Sequence, residues 1–168
     1  MALDSFLKLD GIEGESFDKQ HEKEIELLSF SFGMASPKDY ESHQAKHRVS
    51  FNDADFTCYI NVAYPRLCNA CATNQKIKEA TLSMRKAGTM MANLNRTLEY
   101  AKIRLKDVYV SKCQLYGQEH EGEASDLPVV SFSLNFGKIE WEYREQLSSG
   151  GLQGPVLFNF DLLSGGRS

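Results

Sequence analysis

Hydrophobic and polar positions alternate with a period of two over much of the chain. From Val129 onward, Val130, Phe132, Leu134 and Phe136 share one face, while Ser131, Ser133 and Asn135 share the other. After Gly137 the phase slips: Ile139, Trp141 and Tyr143 are apolar, with Glu140 and Glu142 between them. A parity change at a glycine predicts a β-bulge within one long bent strand over residues 129–143. Residues 24–32 slip in the same way, from Ile25 and Leu27 to Leu28, Phe30 and Phe32. Long strands that switch faces are how small barrels turn their corners.

Further strands are expected over residues 3–9, 49–60, 80–85, 98–110 and 156–162, each with alternating apolar side chains. One helix stands out. Pro65 suits a first helical position, where its missing N–H costs nothing. Leu67, Ala70 and Cys71 follow at helical spacing, Tyr64 falls at the cap, and Thr73-Asn74 offers a stop. Residues 35–48 and 117–126 read as polar loops. The pattern predicts an all-β fold with one short helix: a compact β-barrel of two bent antiparallel sheets with the helix at its side.

The 168 residues suit one domain, expected over 1–163, with a frayed tail at 164–168. Apolar residues at 42% and charged residues at 25% are ordinary for a globular domain. Nineteen Lys and Arg against twenty-three Asp and Glu leave a net charge of −4. Scattered basic residues argue against nucleic acid as a partner. No stretch approaches the roughly 20 apolar residues of a membrane helix, so no membrane insertion is expected. The N-terminal Met-Ala-Leu-Asp-Ser lacks the basic and apolar regions of a secretory signal. The protein is expected to be made in the cytoplasm.

Candidate chemistry is sparse. Cys68-Asn-Ala-Cys71 is a C-x-x-C, with the spacing of a redox pair or of half a zinc site. A thioredoxin-like motif follows a strand in a βαβ pattern, which is missing here, and no second ligand pair has metal spacing. Cys58 and Cys113 join such a site only through the fold. The plainer reading buries Cys71 in the core and leaves Cys68 near the surface. His21, His43, His47 and His120 fall in expected loops, and a solvated loop accounts for them better than an incomplete metal site. There is no G-x-S-x-G elbow and no glycine-rich phosphate loop. Glu140 and Glu142 share a strand face that suits solvent or an interface better than an acid–base pair. No catalytic residue and no cofactor is expected.

Several segments together resemble the Hcp family, tube proteins of bacterial type VI secretion. They are Phe6-Leu-Lys-Leu-Asp10, Gly14-Glu-Ser-Phe-Asp18, Lys19-Gln-His-Glu-Lys-Glu-Ile25 and Ser29-Phe-Ser-Phe-Gly33-Met34. Pro65-Arg-Leu-Cys-Asn-Ala-Cys71, Arg85-Lys-Ala-Gly88, Glu99-Tyr-Ala-Lys-Ile-Arg-Leu-Lys-Asp-Val108 and Leu134-Asn-Phe-Gly-Lys-Ile-Glu-Trp-Glu-Tyr143 follow in the family's order. The resemblance implies a structural protein rather than an enzyme: a homohexameric ring that stacks into a tube inside a contractile sheath, beneath a spike protein, with small effector proteins in the lumen. It also implies release through that machine without a cleaved signal peptide. Two other readings stay open at this point, the tail tube of a phage-like contractile particle and a monomeric β-barrel metal or redox protein using Cys68 and Cys71.

Within that resemblance, Ser29 and Ser31 alternate with Leu28, Phe30 and Phe32 and point away from that part of the core. A small, neutral, polar face suits a water-filled lumen, which makes both serines candidate cargo contacts. The chain departs from the family pattern between Gly88 and Leu98, where an extra stretch carries Met90, Met91 and Leu94 in place of a tight turn. That stretch reads either as a contact surface or as a hairpin end folded on its own barrel. With Tyr40 and His43 of the polar 35–48 loop, these residues are candidates for ring stacking or partner contact.

Overall fold

The computed structural model describes residues 3–36, 49–90, 97–117, 127–149 and 151–164. The elements run β1 (Leu3–Leu9), β2 (Ile25–Glu26), β3 (Ser29–Ser31), β4 (Met34–Ala35), β5 (Ser50–Phe51), β6 (Ala54–Tyr59), α1 (Ala63–Thr73), β7 (Ile77–Met90), β8 (Thr97–Tyr116), β9 (Val129–Asn135), β10 (Lys138–Tyr143) and β11 (Val156–Asp161). Every ladder is antiparallel. The 20-residue β8 is the spine. Its first half pairs with β7 on one side and β10 on the other, and its second half pairs with β9. One sheet therefore reads β2-β1-β7-β8-β10-β11 and the other β8-β9-β6-β3, with β4 and β5 a separate ribbon. The expected all-β class with one helix holds. The ladder is not closed as a barrel, because β2, β3 and β11 each remain an edge.

Both phase slips mark places where the chain changes sheet, and in both the expected long strand is broken. Leu27 N–H donates to Ser5 O at 3.0 Å, and the next residue, Leu28, donates to Thr57 O at 2.8 Å. Consecutive residues thus bond to β1 and to β6, and residues 24–32 form two short strands instead of one. Residues 129–143 likewise divide: β9 joins β6 and β8, and β10 joins β8 and β11. At the break, Gly137 N–H donates to Lys106 O at 3.0 Å, and a Cβ on Gly137 would stand 3.2 Å from the Asp107 Cβ. Asp107 itself takes a left-handed φ of 54°, the turn that carries β8 from one sheet to the other. The slip at Gly137 is a corner between sheets, not a bulge in a continuous strand.

α1 starts at Ala63, two residues before Pro65, with Val62 rather than Tyr64 at the N-cap. Val62 offers no side-chain cap. Asn61 Oδ1 instead accepts the Ala63 N–H at 2.9 Å, and Glu15 Oε1 accepts that of Val62 at 3.1 Å. Pro65 is therefore third in the helix, a position whose N–H would also lack an intrahelical partner. Asn74 closes the helix in the left-handed conformation, with its N–H bonded to Ala70 O. Ala63, Leu67 and Ala70 face the core. Leu7, Ile25, Leu67, Ile77, Val108, Val130, Phe132, Leu134 and Ile139 are fully buried there, each side chain worth about 1.5–3 kcal/mol of transfer free energy. Among the described residues no helix is long and apolar enough to cross a membrane.

Candidate functional site

The polar positions of β3, β6, β9 and the end of β8 line up on the outer face of the second sheet. Ser29 pairs with Thr57, Thr57 with Ser131, and Ser131 with Gln114. The adjacent row runs Ser31, Asp55, Ser133, Lys112. Residues on alternate positions, Phe30, Phe56, Phe132 and Cys113, form the opposite row and turn inward, where Phe56 and Phe132 stack at 5.4 Å. Ser29 and Ser31 are both exposed, as their alternation with phenylalanine requires.

This face is hydrogen-bonded within itself. Ser29 Oγ and Thr57 Oγ1 lie 2.5 Å apart. Ser133 Oγ donates to Asp55 Oδ1 at 2.5 Å, Ser111 Oγ to Asp53 Oδ2 at 2.6 Å, and Asn135 Nδ2 to Asp53 Oδ1 at 2.9 Å. The expectation of a neutral face is corrected here. Pairing with β6 sets Asp55 directly beside Ser31, and Asp53 lies two residues earlier, just before β6 begins. The residues that sequence reasoning missed are therefore Asp53, Asp55, Thr57, Ser111 and Ser131. The signal for Asp53, Asp55 and Thr57 was present in the alternation of residues 53–59, but only strand pairing joins it to Ser29 and Ser31.

Tyr40, His43, His47, His120, Met91 and Leu94 lie outside the described residues. Met90 ends β7, its backbone paired with Thr97 at the start of β8. His21 is not the solvated loop residue expected. It is 3% exposed, with Nδ1 2.8 Å from Glu24 Oε2 and Nε2 3.3 Å from Glu99 Oε1. The second contact is close enough for an ion pair but too poorly aligned for a regular hydrogen bond. Glu140 pairs with Lys106 at 3.0 Å and Glu142 with Arg144 at 2.8 Å, an arrangement of cross-strand and local ion pairs rather than an acid–base site. Of the cysteines, Cys58 is buried and Cys68, Cys71 and Cys113 are half-buried. Among the described residues no group of three or more His, Cys, Asp or Glu is placed to hold a metal ion.

Two apolar surfaces stay open at different places on the molecule. One is the free edge β11, where Val156 is 70% and Leu157 61% exposed, with Leu163 beyond it. The other surrounds a groove formed by Phe17, Leu28, Tyr59 and Leu127, with Phe17 96% exposed.

The family model described as "Type VI secretion system effector, Hcp" matches residues 6–143. Protein hcp1 of Pseudomonas aeruginosa is 32% identical over 165 residues, which is 96% of each chain. Among solved structures, that of Hcp1 from Salmonella typhimurium is 33% identical and covers the whole of both chains with a TM-score of 0.76. A type VI secretion system effector from Yersinia pestis is 28% identical, covers 94% of this chain and 99% of its own, and superimposes with a TM-score of 0.71. A structure described as a type six secretion system protein reaches a TM-score of 0.86 at 23% identity, covering 99% of this chain and all of its own, a likeness of fold. With the family match spanning most of the chain, and a full-length relative above 30% identity, this protein belongs to the Hcp family of type VI secretion.

Proposed function

We propose that six copies of this tube protein close into a ring, that rings stack into the inner tube within a contractile sheath and beneath a spike, and that the polar face of the second sheet turns toward the lumen. The observation that carries the reading is that face: four strands whose outward side chains are mostly small hydroxyl, amide and carboxylate groups, several of them hydrogen-bonded to one another. A surface whose polar groups in part satisfy one another has less drive to grip one particular partner. It suits a channel that small effector proteins enter and leave. The two apolar surfaces support the ring. A closed ring joins one surface of a subunit to a different surface of its neighbour, and the β11 edge and the Phe17 groove are two such unlike surfaces. An edge strand left unpaired invites addition of another chain, and ring closure limits that addition. Each subunit's charge of −4 is repeated around the ring, so stacking is opposed at low ionic strength and favoured by salt.

Light scattering with negative-stain imaging tests this. The expected species is six times 19.0 kDa, near 114 kDa, with annular views. Leu157→Lys on the β11 edge is expected to shift the mass toward the monomer while leaving the thermal midpoint within a few degrees. A 19 kDa monomer at high protein concentration overturns the ring.

A further inference from the structure

The C-x-x-C motif directs attention to Cys68 and Cys71, yet the sulfur that meets Cys68 comes from elsewhere in the chain. Cys68 Sγ lies 3.8 Å from Cys113 Sγ. α1 packs on the inner face of the second sheet, and Cys113 belongs to the inward row with Phe132 and Phe56, so the helix sets its thiol against the C-terminal end of β8. Both residues are half-buried, open enough for a small oxidant to reach. We propose that Cys68 and Cys113 are an oxidation-responsive pair, held as thiols in the reducing cytoplasm and closed to an intramolecular disulfide when the protein meets an oxidising compartment after export. The timing rests on the tube reading; the chemistry of the pair does not.

The oxidant is a low-molecular-weight disulfide such as glutathione disulfide. The Cys68 thiolate attacks one sulfur of the oxidant, whose S–S bond breaks, and the first glutathione leaves as a thiolate that takes up a proton. Cys113 then gives its proton to solvent and attacks the Cys68 sulfur of the mixed disulfide, releasing the second glutathione. Two protein thiols are oxidised and one glutathione disulfide is reduced to two glutathiones. Burial, and then the neighbouring Cys68, push the Cys113 thiol up to about 12, so Cys113 stays protonated and reacts second. Closure brings the sulfurs from 3.8 Å to the roughly 2.05 Å of a disulfide. The bond joins the only described helix to the spine strand and ties residues 45 positions apart, so it restricts the unfolded chain strongly.

The purified full-length chain is incubated with glutathione disulfide and mapped by mass spectrometry of non-reduced peptides. The expected product has lost two thiols and two hydrogens and contains one cross-link, between the peptides that carry Cys68 and Cys113. Its thermal midpoint rises by roughly 5–10 °C and falls back with dithiothreitol. Cys71→Ser keeps the cross-link and Cys113→Ser abolishes it; should Cys113→Ser fail to fold, the wild-type map decides alone. A link between Cys68 and Cys71, a link between chains, a stable glutathione adduct without closure, or unreacted thiols would each overturn the proposal. A monomeric protein that still forms the cross-link would sink the ring and leave the redox pair standing.

Discussion

His21 lies flat against Phe6, their ring centroids 4.3 Å apart and their planes within 5° of parallel. The Arg85 guanidinium stands 4.7 Å from the centroid of the same Phe6 ring and pairs with Asp4 and Asp18. The stack ties the long β1–β2 connection to β1 and β7, and through Glu99 to β8. Burial opposes charging His21, but Glu24 and Glu99 outweigh it and raise its pKa to about 9. Glu99 is held down at about 2, chiefly by His21 and, against burial, with help from Lys102.

These shifts set a pH window. His21 titrates higher in the folded chain than in the unfolded one, so its contribution is complete below about pH 6.5 and is lost as pH rises through 9. Glu99 titrates lower when folded, so its contribution is present above about pH 4.5 and is lost as pH falls through 2. The two overlap fully between about pH 4.5 and 6.5. His21→Gln is expected to cost about 2–3 kcal/mol at pH 6. The gap to wild type should narrow clearly by pH 10. Urea unfolding at the two pH values checks both the size and the sign.

Gly14→Ala is expected to destabilise the same region by about 2–4 kcal/mol. A Cβ there would stand 2.4 Å from Glu24 O, a backbone atom that cannot swing aside. Gly14 N–H also donates to Lys23 O at 2.7 Å, so the close approach is built into the loop. Gly154→Ala, which meets nothing within 4 Å, serves as the control and should unfold at the wild-type denaturant midpoint.

Ser31→Gln should lower retention of effector protein in a pull-down while leaving the thermal midpoint within about 2 °C. The side chain is exposed and lies opposite Asp55 in the ladder, so a longer amide projects into the space the tube reading assigns to cargo. Unchanged retention would remove Ser31 from the contact surface.

Replacing residues 91–96 with an Asn-Gly turn links Met90 to Thr97 through two residues, at a point where the two strands are already paired. The expectation is a protein that folds and forms single rings but stacks them at least several-fold less by sedimentation. Loss of folding would place those residues on the subunit's own core instead.

Much of this protein was legible in its residues taken in order. Alternation at Val130, Phe132 and Leu134 marks β9, and the parity slips at Leu27–Leu28 and Gly137 mark both corners. The run from Leu67 to Asn74 marks the helix and its stop. Each is a local signal, because inward and outward positions repeat with the period of the element itself. The start of α1 was misplaced because its N-cap, Val62, has no capping group of its own, and the Asn61 side chain accepts the first helical N–H in its place.

Which strand each half joins is a different matter, and so is everything that depends on it. Ser31 faces outward by its own sequence, but Asp55 stands beside it only because β3 pairs with β6. Cys68 and Cys71 are neighbours by spacing, yet Cys68 meets Cys113 because α1 packs on β8. His21 reads as a polar loop residue until Phe6, Glu24 and Glu99 close around it. Alternation along a strand is set by the local backbone, so the chain carries it openly. Contacts between residues far apart in the chain, such as Cys68 with Cys113 and His21 with Glu99, depend on how the whole core packs, and that is decided only when the sheets form.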